Sequence, residues 1–156
     1  MSKRYIIFLA FISLLFIIPG CGGGGNDAPA ESTITFSPSS ATVTIAEGAP
    51  PAWYVYRFTI VATNPDGIPY DNIDLSIFYP WAEPGDRVVQ FYDGDPSKGA
   101  PAKDSPMSVK TDENGSYTLF FVYVGGGGAE YSGDIQVTSG SVFGSASFEV
   151  KTEAAE

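Results

Sequence analysis

The 156-residue sequence contains no histidine and only one cysteine, Cys21. Without histidine the chain cannot build a Ser-His-Asp or Cys-His nucleophilic centre, and histidine-based zinc sites are excluded as well. Basic residues are scarce, because 8 Lys and Arg stand against 18 Asp and Glu, for a formal net charge of −10. Binding a phosphate backbone requires clustered basic residues. We therefore expect neither an enzyme nor a nucleic-acid partner.

Glycine, proline and aromatic residues are plentiful by contrast. The chain has 18 Gly, 12 Pro and 14 % aromatic residues, while only 17 % of its residues are charged. This composition favours short strands that are joined by turns over long helices. A chain of this length is large enough to bury one substantial hydrophobic core.

The amino terminus has the organisation of an export signal. Lys3 and Arg4 precede an apolar run, Tyr5–Ile18, which is shorter than the roughly 17–25 residues of a membrane-spanning helix. The run ends in "IPGC", with the cysteine at position 21, and this ending resembles the lipobox of bacterial lipoproteins. An ordinary buried cysteine or a free thiol is the alternative interpretation of Cys21.

The lipobox resemblance implies that the chain is cut before Cys21 and that this residue carries a diacylglycerol and a further acyl chain such as palmitate. Two or more chains hold a protein stably, because each buried methylene contributes about 0.8 kcal/mol. We therefore predict a signal peptide at 1–20 and lipid attachment at Cys21. The predicted location is the bacterial cell envelope, at the outer membrane of a Gram-negative cell, facing either the periplasm or the surface.

The remaining chain is predicted to form a tether, one domain and a tail. Residues 21–32 hold four consecutive glycines and have little to bury, which is typical of a flexible tether. From 33 to 152 the apolar residues alternate, as in "YVYRFTIVAT" (Tyr54–Thr63), and turn residues separate eight or nine short strands. A final hairpin is predicted to turn near Ser139 and Gly140, and 153–156 form the tail.

Four segments of this region occur in the order that is seen in bacterial immunoglobulin-like domains of the invasin and intimin type. The segments are "ITFSPSSATV", "FTIVATNPDGIPYDNIDLSIF", "VKTDENGSYTLFFV" and "GDIQVTSGSVFGSASFEV". The turn residues that carry the resemblance are Asn64, Gly67 and Pro69, followed by Thr111, Asp112 and Gly115. The resemblance implies an all-β, immunoglobulin-like antiparallel β-sandwich of about seven to nine strands. It also implies a spacer, stalk or adhesive module without catalysis.

An acidic loop offers the candidate metal ligands Asp93, Asp95 and Asp104. Asp104 comes eleven residues after Asp93, but an EF-hand loop requires Gly at its sixth position and Glu at its twelfth. Here Lys98 and Asp104 occupy those positions. We therefore expect no metal and no cofactor apart from the covalent lipid. A calcium- or glycan-binding module that uses the 93–104 loop with Trp81 is the alternative function.

Aromatic residues at loop edges and on outward strand faces form the second candidate site. Exposed apolar patches mark interaction surfaces, and Trp and Tyr are frequent binding hot spots. The alternative is that loops or the second sheet cover these side chains. The primary hypothesis is a structural or protein-binding module, as an accessory subunit of a cell-surface assembly, with a membrane contact through its lipid. The predicted interaction patch comprises Trp53, Phe78, Trp81 and Phe91, with Phe120 and Phe143 as further outward aromatics.

Overall fold

The structure is a computed structural model that describes residues 26–79, 89–128 and 130–154. The predicted signal peptide, Cys21 and Trp81 lie outside the described residues. Within the described ranges, no helix has the length and apolar character needed to cross a membrane.

The described residues form ten β-strands and one short 3-10 turn. The number exceeds the predicted seven to nine because the acidic loop contains a strand of only two residues, β6. The strands are β1 (Thr33–Ser37), β2 (Ser40–Ala46), β3 (Ala52–Thr63), β4 (Asp74–Phe78), β5 (Val89–Tyr92), β6 (Ala102–Lys103), β7 (Met107–Lys110), β8 (Ser116–Gly125), β9 (Tyr131–Ser139) and β10 (Val142–Glu153); the 3-10 turn is Pro96–Lys98.

The strands form two five-stranded sheets. Sheet 1 has the order β1-β3-β8-β5-β6, and sheet 2 has the order β2-β10-β9-β4-β7. The predicted final hairpin is present, since β9 and β10 pair from Val142 and Ser139 outward. The predicted fold class, an all-β sandwich of immunoglobulin-like type, is confirmed.

One strand pair differs from the antiparallel prediction. β2 runs parallel to β10, with a register from Ser40 opposite Ser147 to Ala46 opposite Glu153. β1 pairs with β3 in sheet 1, and the chain then crosses at Ser37–Ser40 to place β2 in sheet 2. No hairpin joins β2 to β10, so chain connectivity does not impose an antiparallel arrangement on the pair.

The hydrophobic core lies between the inward faces of the two sheets. The predicted alternation is confirmed in β3, where Phe58, Ile60 and Ala62 are buried. Phe121 in β8 lies at the centre of the core, and its ring centroid is 4.5 Å from that of Phe148 on the opposite sheet. The other core residues include the aromatic side chains of Phe36, Phe91 and Tyr123 and the aliphatic ones of Leu75, Ile77, Leu119, Ile135, Val137, Ala146 and Val150.

Part of the segment that the sequence assigns to the tether contacts sheet 2. The backbone N–H of Asn26 donates to the Asp74 carboxylate at 2.7 Å, and the N–H of Ala28 donates to Ser139 Oγ at 2.8 Å. Ala28 is buried. These two acceptors are available because Asp74 starts β4 and Ser139 ends β9, at the same end of the sheet. Residues 26–28 therefore pack against sheet 2 of the domain.

Thr111 connects two loops beneath the sandwich through its buried hydroxyl. Its Oγ1 accepts a hydrogen bond from the N–H of Ile73 and donates one to the carbonyl of Tyr70, both at 2.9 Å. Thr111→Val keeps the shape and removes both bonds, so we expect the free energy of unfolding to fall by about 1–3 kcal/mol. Thr111→Ser keeps the hydroxyl and should lose less. Urea denaturation measures both variants, and equal losses would contradict this role of the hydroxyl.

Candidate functional site

The structure divides the predicted aromatic patch between different environments. Trp53 is 63 % exposed on the outer face of sheet 1, whereas Phe143 is 55 % exposed on the outer face of sheet 2. Phe78 lies opposite Gln136 and also faces outward on sheet 2, where it is partly buried. Because the outer faces of a sandwich point in opposite directions, Trp53 and Phe78 cannot belong to one patch.

The prediction that Phe91 belongs to an exposed patch is wrong. Phe91 is fully buried, and its ring centroid lies 4.9 Å from that of Tyr79 and 6.0 Å from that of Phe121. The strand β5 pairs with β8 so that Phe91 is opposite Phe121, which points into the core. Residues opposite each other in paired strands lie on the same face, so Phe91 must point inward as well.

The strand register builds a different patch on the outer face of sheet 1, which we call the outer patch. One row across the sheet consists of Val55, Val122 and Gln90, and the next row begins with Arg57. Val122, in the middle of the first row, is inaccessible to solvent, whereas Val55, at the end of that row, is 48 % exposed. The outer patch consists of Trp53, Val55 and Arg57 from β3, Phe120, Val122 and Val124 from β8, and Gln90 and Tyr92 from β5.

The outer patch covers only one end of sheet 1. Towards the other end, the outward residues of β3 and β8 are Thr59, Val61, Thr63, Ser116 and Thr118, of which Val61 alone is apolar. Within the patch, the hydroxyl of Tyr92 donates to Gln90 Oε1 at 3.1 Å. The sequence pattern already placed Val55 and Arg57 opposite the inward residues of β3, but only the pairing with β8 and β5 shows which apolar neighbours surround them.

The acidic loop uses its carboxylates to hold its own conformation. Asp95 Oδ1 accepts from the N–H of Ser97 at 2.9 Å and from its hydroxyl at 2.6 Å, which caps the 3-10 turn. These hydrogen bonds lower the pKa of the Asp95 carboxyl. Lys98 Nζ lies 3.9 Å from Asp95 Oδ2. Asp93 accepts from the hydroxyl of Tyr117 at 2.9 Å. The pKa of the Tyr117 hydroxyl is raised, chiefly because the side chain is buried and secondly because it donates this hydrogen bond to Asp93.

The structure does not bring the candidate ligands together into a cation site. In the described part of the chain, no three His, Cys, Asp or Glu side chains form a group that could hold a metal ion. Asp104 is exposed. The carboxylate of Asp112 in the following turn accepts hydrogen bonds from the N–H groups of Asn114 and Ser116, each at 2.9 Å, as expected for a turn-forming residue.

Comparisons with known proteins return structural similarity only. No protein-family model matches the chain, and no curated protein matches it. The ASH / PapD-like domain of human CEP192 (PapD-like domain 7) is similar with a TM-score of 0.42 and 12 % identity, covering 82 % of this chain and 90 % of that one. The N-terminal domain of PorA is similar with a TM-score of 0.39 and 14 % identity, covering 71 % and 87 %. No functional property follows from these similarities, and the invasin and intimin resemblance stays a prediction.

Proposed function

We propose that this chain is a lipid-anchored protein of the bacterial cell envelope whose β-sandwich acts as a non-catalytic structural or protein-binding module. The outer patch carries this proposal. A water-exposed sheet face normally carries polar residues, yet Trp53 and Val55 are exposed there beside Phe120 and Val124. Exposed apolar clusters of this kind mark protein interaction sites. The partner that we expect is another component of a cell-surface assembly.

The charge of the chain supports anchoring through the lipid. Removal of residues 1–20 removes Lys3 and Arg4 and no acid, so 6 basic and 18 acidic residues remain, for a formal charge of −12. Such a domain is repelled by an anionic membrane surface. Acyl chains on Cys21 would overcome this repulsion, and a single chain would give only marginal binding. The proposed partner is therefore a protein, and the proposed membrane contact is the lipid.

Photo-crosslinking in intact cells tests the protein-binding half of the proposal, and mass spectrometry of the same protein tests the lipid anchor. The full chain is produced in bacteria with the photo-crosslinking residue benzoylphenylalanine in place of Phe120, on the outer patch. The control has the same replacement at Phe143, which is exposed on the opposite face of the sandwich. We expect irradiation of intact cells to give a specific adduct with another protein from position 120 and none from position 143.

Mass spectrometry of the same purified protein determines whether Cys21 is the amino-terminal residue and whether it carries lipid. We expect the mature chain to begin at Cys21 and to carry the mass of a diacylglycerol and an acyl chain, and Cys21→Ser to remain unmodified. An unmodified Cys21 thiol would contradict the proposed lipid anchor. Identical adducts from positions 120 and 143 would contradict the proposal that the outer patch is the surface that binds the partner.

A further inference from the structure

In the part of the chain that the structure describes, half of β3 has a neighbouring strand on one side only. β8 pairs with Ala52–Val61 along one edge of β3, whereas β1 pairs with Thr59–Thr63 along the other. Among the described residues, no strand pairs with 52–58 on that second edge. We call these seven residues the open half of β3. In an antiparallel sheet, alternate residues of such an edge direct their N–H and C=O groups outward, where another strand can bind them.

The ends of the open half have clear structural causes. At Phe58 the edge closes because Ser37, the last residue of β1, lies opposite Thr59, and the chain then crosses to sheet 2. At Ala52 it closes because Pro50 and Pro51 precede the strand, and proline has no N–H to donate to a further pair. A strand that joins this edge therefore has room for seven residues, with Val55 at the centre.

The outward side chains of the open half are an aromatic, an aliphatic and a cationic residue at regular spacing. Trp53 and Val55 are 63 % and 48 % exposed, and Arg57 is exposed as well. Within the described residues no carboxylate lies in ion-pair distance of Arg57, whereas Lys110 and Lys151 each have one, at 2.8 and 3.0 Å. The open half itself contains no acidic residue.

This order of side chains complements itself when it is reversed. If a second copy of the strand lies antiparallel to the first and is centred on Val55, Trp53 of each copy lies opposite Arg57 of the other. Guanidinium groups stack favourably on indole rings, and directly opposite residues have Cβ atoms about 4.5–5.5 Å apart. Val55 then lies opposite Val55 of the second copy, on the two-fold axis of a closed dimer.

We propose that two copies of this chain pair through the open halves of their β3 strands to form a symmetric dimer. The two copies of sheet 1 then form one continuous sheet of ten strands, and the two outer patches become adjacent on the same face. Such a dimer doubles the area of the face that is offered to a partner protein. This consequence for binding rests on the proposed function. The pairing itself needs neither the partner nor the lipid.

The chain's net charge gives this dimer a recognisable salt dependence. Each copy carries an excess of acidic residues, while the edge that pairs carries none and contributes Arg57. Salt screens the repulsion between the two copies, so dimerisation should strengthen as salt is added. An interface that depended on ion pairs between the copies would weaken instead.

Disulfide formation tests the register directly. The experiment uses the full chain with Cys21→Ser, so that an introduced cysteine provides the only thiol whether or not Cys21 is lipidated. We expect Val55→Cys to form a disulfide-linked dimer at least about tenfold faster than Trp53→Cys. The reason is that position 55 faces its own copy, whereas position 53 is displaced from its copy by four residues, about 14 Å. A mixture of Trp53→Cys and Arg57→Cys should crosslink efficiently.

A charge variant and amide exchange complete the test. Val55→Lys places like charges directly opposite each other on the two-fold axis, and we expect it to weaken dimerisation in analytical ultracentrifugation by at least about tenfold. Phe143→Lys on the opposite face is the control and should have no effect. Equal crosslinking rates at 53 and 55 would overturn the proposal. So would slow amide exchange at Trp53, Val55 and Arg57 in a monomer at high dilution, because their N–H groups face away from β8 and the open edge would then be covered by the chain itself.

The outcome is separable from that of the proposed function. If the dimer is wrong but the function is right, the disulfide pattern is absent from the purified chain, while benzoylphenylalanine at position 120 of the otherwise unchanged protein still gives the adduct with the partner protein in cells. If the dimer is right and the function is wrong, the disulfide pattern appears in the purified chain and no such adduct forms in cells.

Discussion

Phe121→Ala is expected to lower the free energy of unfolding by about 3–5 kcal/mol, the range for deleting a buried phenylalanine ring from a core. Phe121 is fully buried, and its ring contacts aromatic rings on both sheets, with centroids 4.5 Å from Phe148, 6.0 Å from Phe91 and 6.4 Å from Phe58. Since a domain has about 5–15 kcal/mol of stability in total, the variant should be close to unfolding. Urea denaturation followed by circular dichroism measures the loss.

Phe120→Ala is the matched control for this prediction. It removes the same side chain from the next residue of the same strand, where the ring faces outward and is partly exposed. The loss should be clearly smaller, because fewer packing contacts disappear and no closed cavity forms. Equal losses for the two variants would contradict the assignment of inward and outward faces in β8.

Gly115→Ala is expected to lower the free energy of unfolding by about 2–5 kcal/mol. Gly115 has a φ of 68°, a left-handed conformation that costs a residue with a Cβ about 1–2 kcal/mol. A Cβ at this position would also overlap Pro69 Cβ and come within 2.9 Å of the Tyr70 backbone N. Relief of such overlap requires backbone movement, which costs about 1–3 kcal/mol. Thermal or urea denaturation checks the sum.

Gly67→Ala separates the two contributions. Gly67 has a similar φ of 80°, but an added Cβ would meet nothing within 4 Å. We therefore expect only the conformational cost of about 1–2 kcal/mol for this variant. If Gly67→Ala were as destabilising as Gly115→Ala, the close approach of the 111–116 turn to Pro69 would have no energetic importance.

Much of the fold could be predicted because its signals are local. The alternation in β3, β4 and β8 identifies the buried face without any knowledge of partners, since successive side chains of a strand point to opposite sides. The turn at Ser139 and Gly140 was predicted as it occurs. Asp112 and Gly115 mark a tight turn because their chemistry demands one.

Pairing between strands could not be predicted in the same way. The split between β1 and β2 leads to a parallel pair with β10, and nothing within "ITFSPSSATV" specifies on which sheet each half lies. Phe91 was placed at the surface because β5 is too short for its alternation to decide the buried face. Residues 26–28 have a loop-like composition, and only Asp74 and Ser139, far away in sequence, hold them on the domain.

The sequence alone was sufficient for the all-β class, most strand positions, the inward face of β3 and the prediction of a lipid on Cys21, because each depends on neighbours along the chain. Only the tertiary structure decided that Trp53 and Phe78 lie on opposite faces and that Val55 and Arg57 join the outer patch. It also showed that, among the described residues, half of β3 has no neighbouring strand along one of its two edges. The physical reason is that sheet membership and register are set by contacts between residues far apart in the sequence. A period of two in one strand identifies its two faces without revealing what lies beside it.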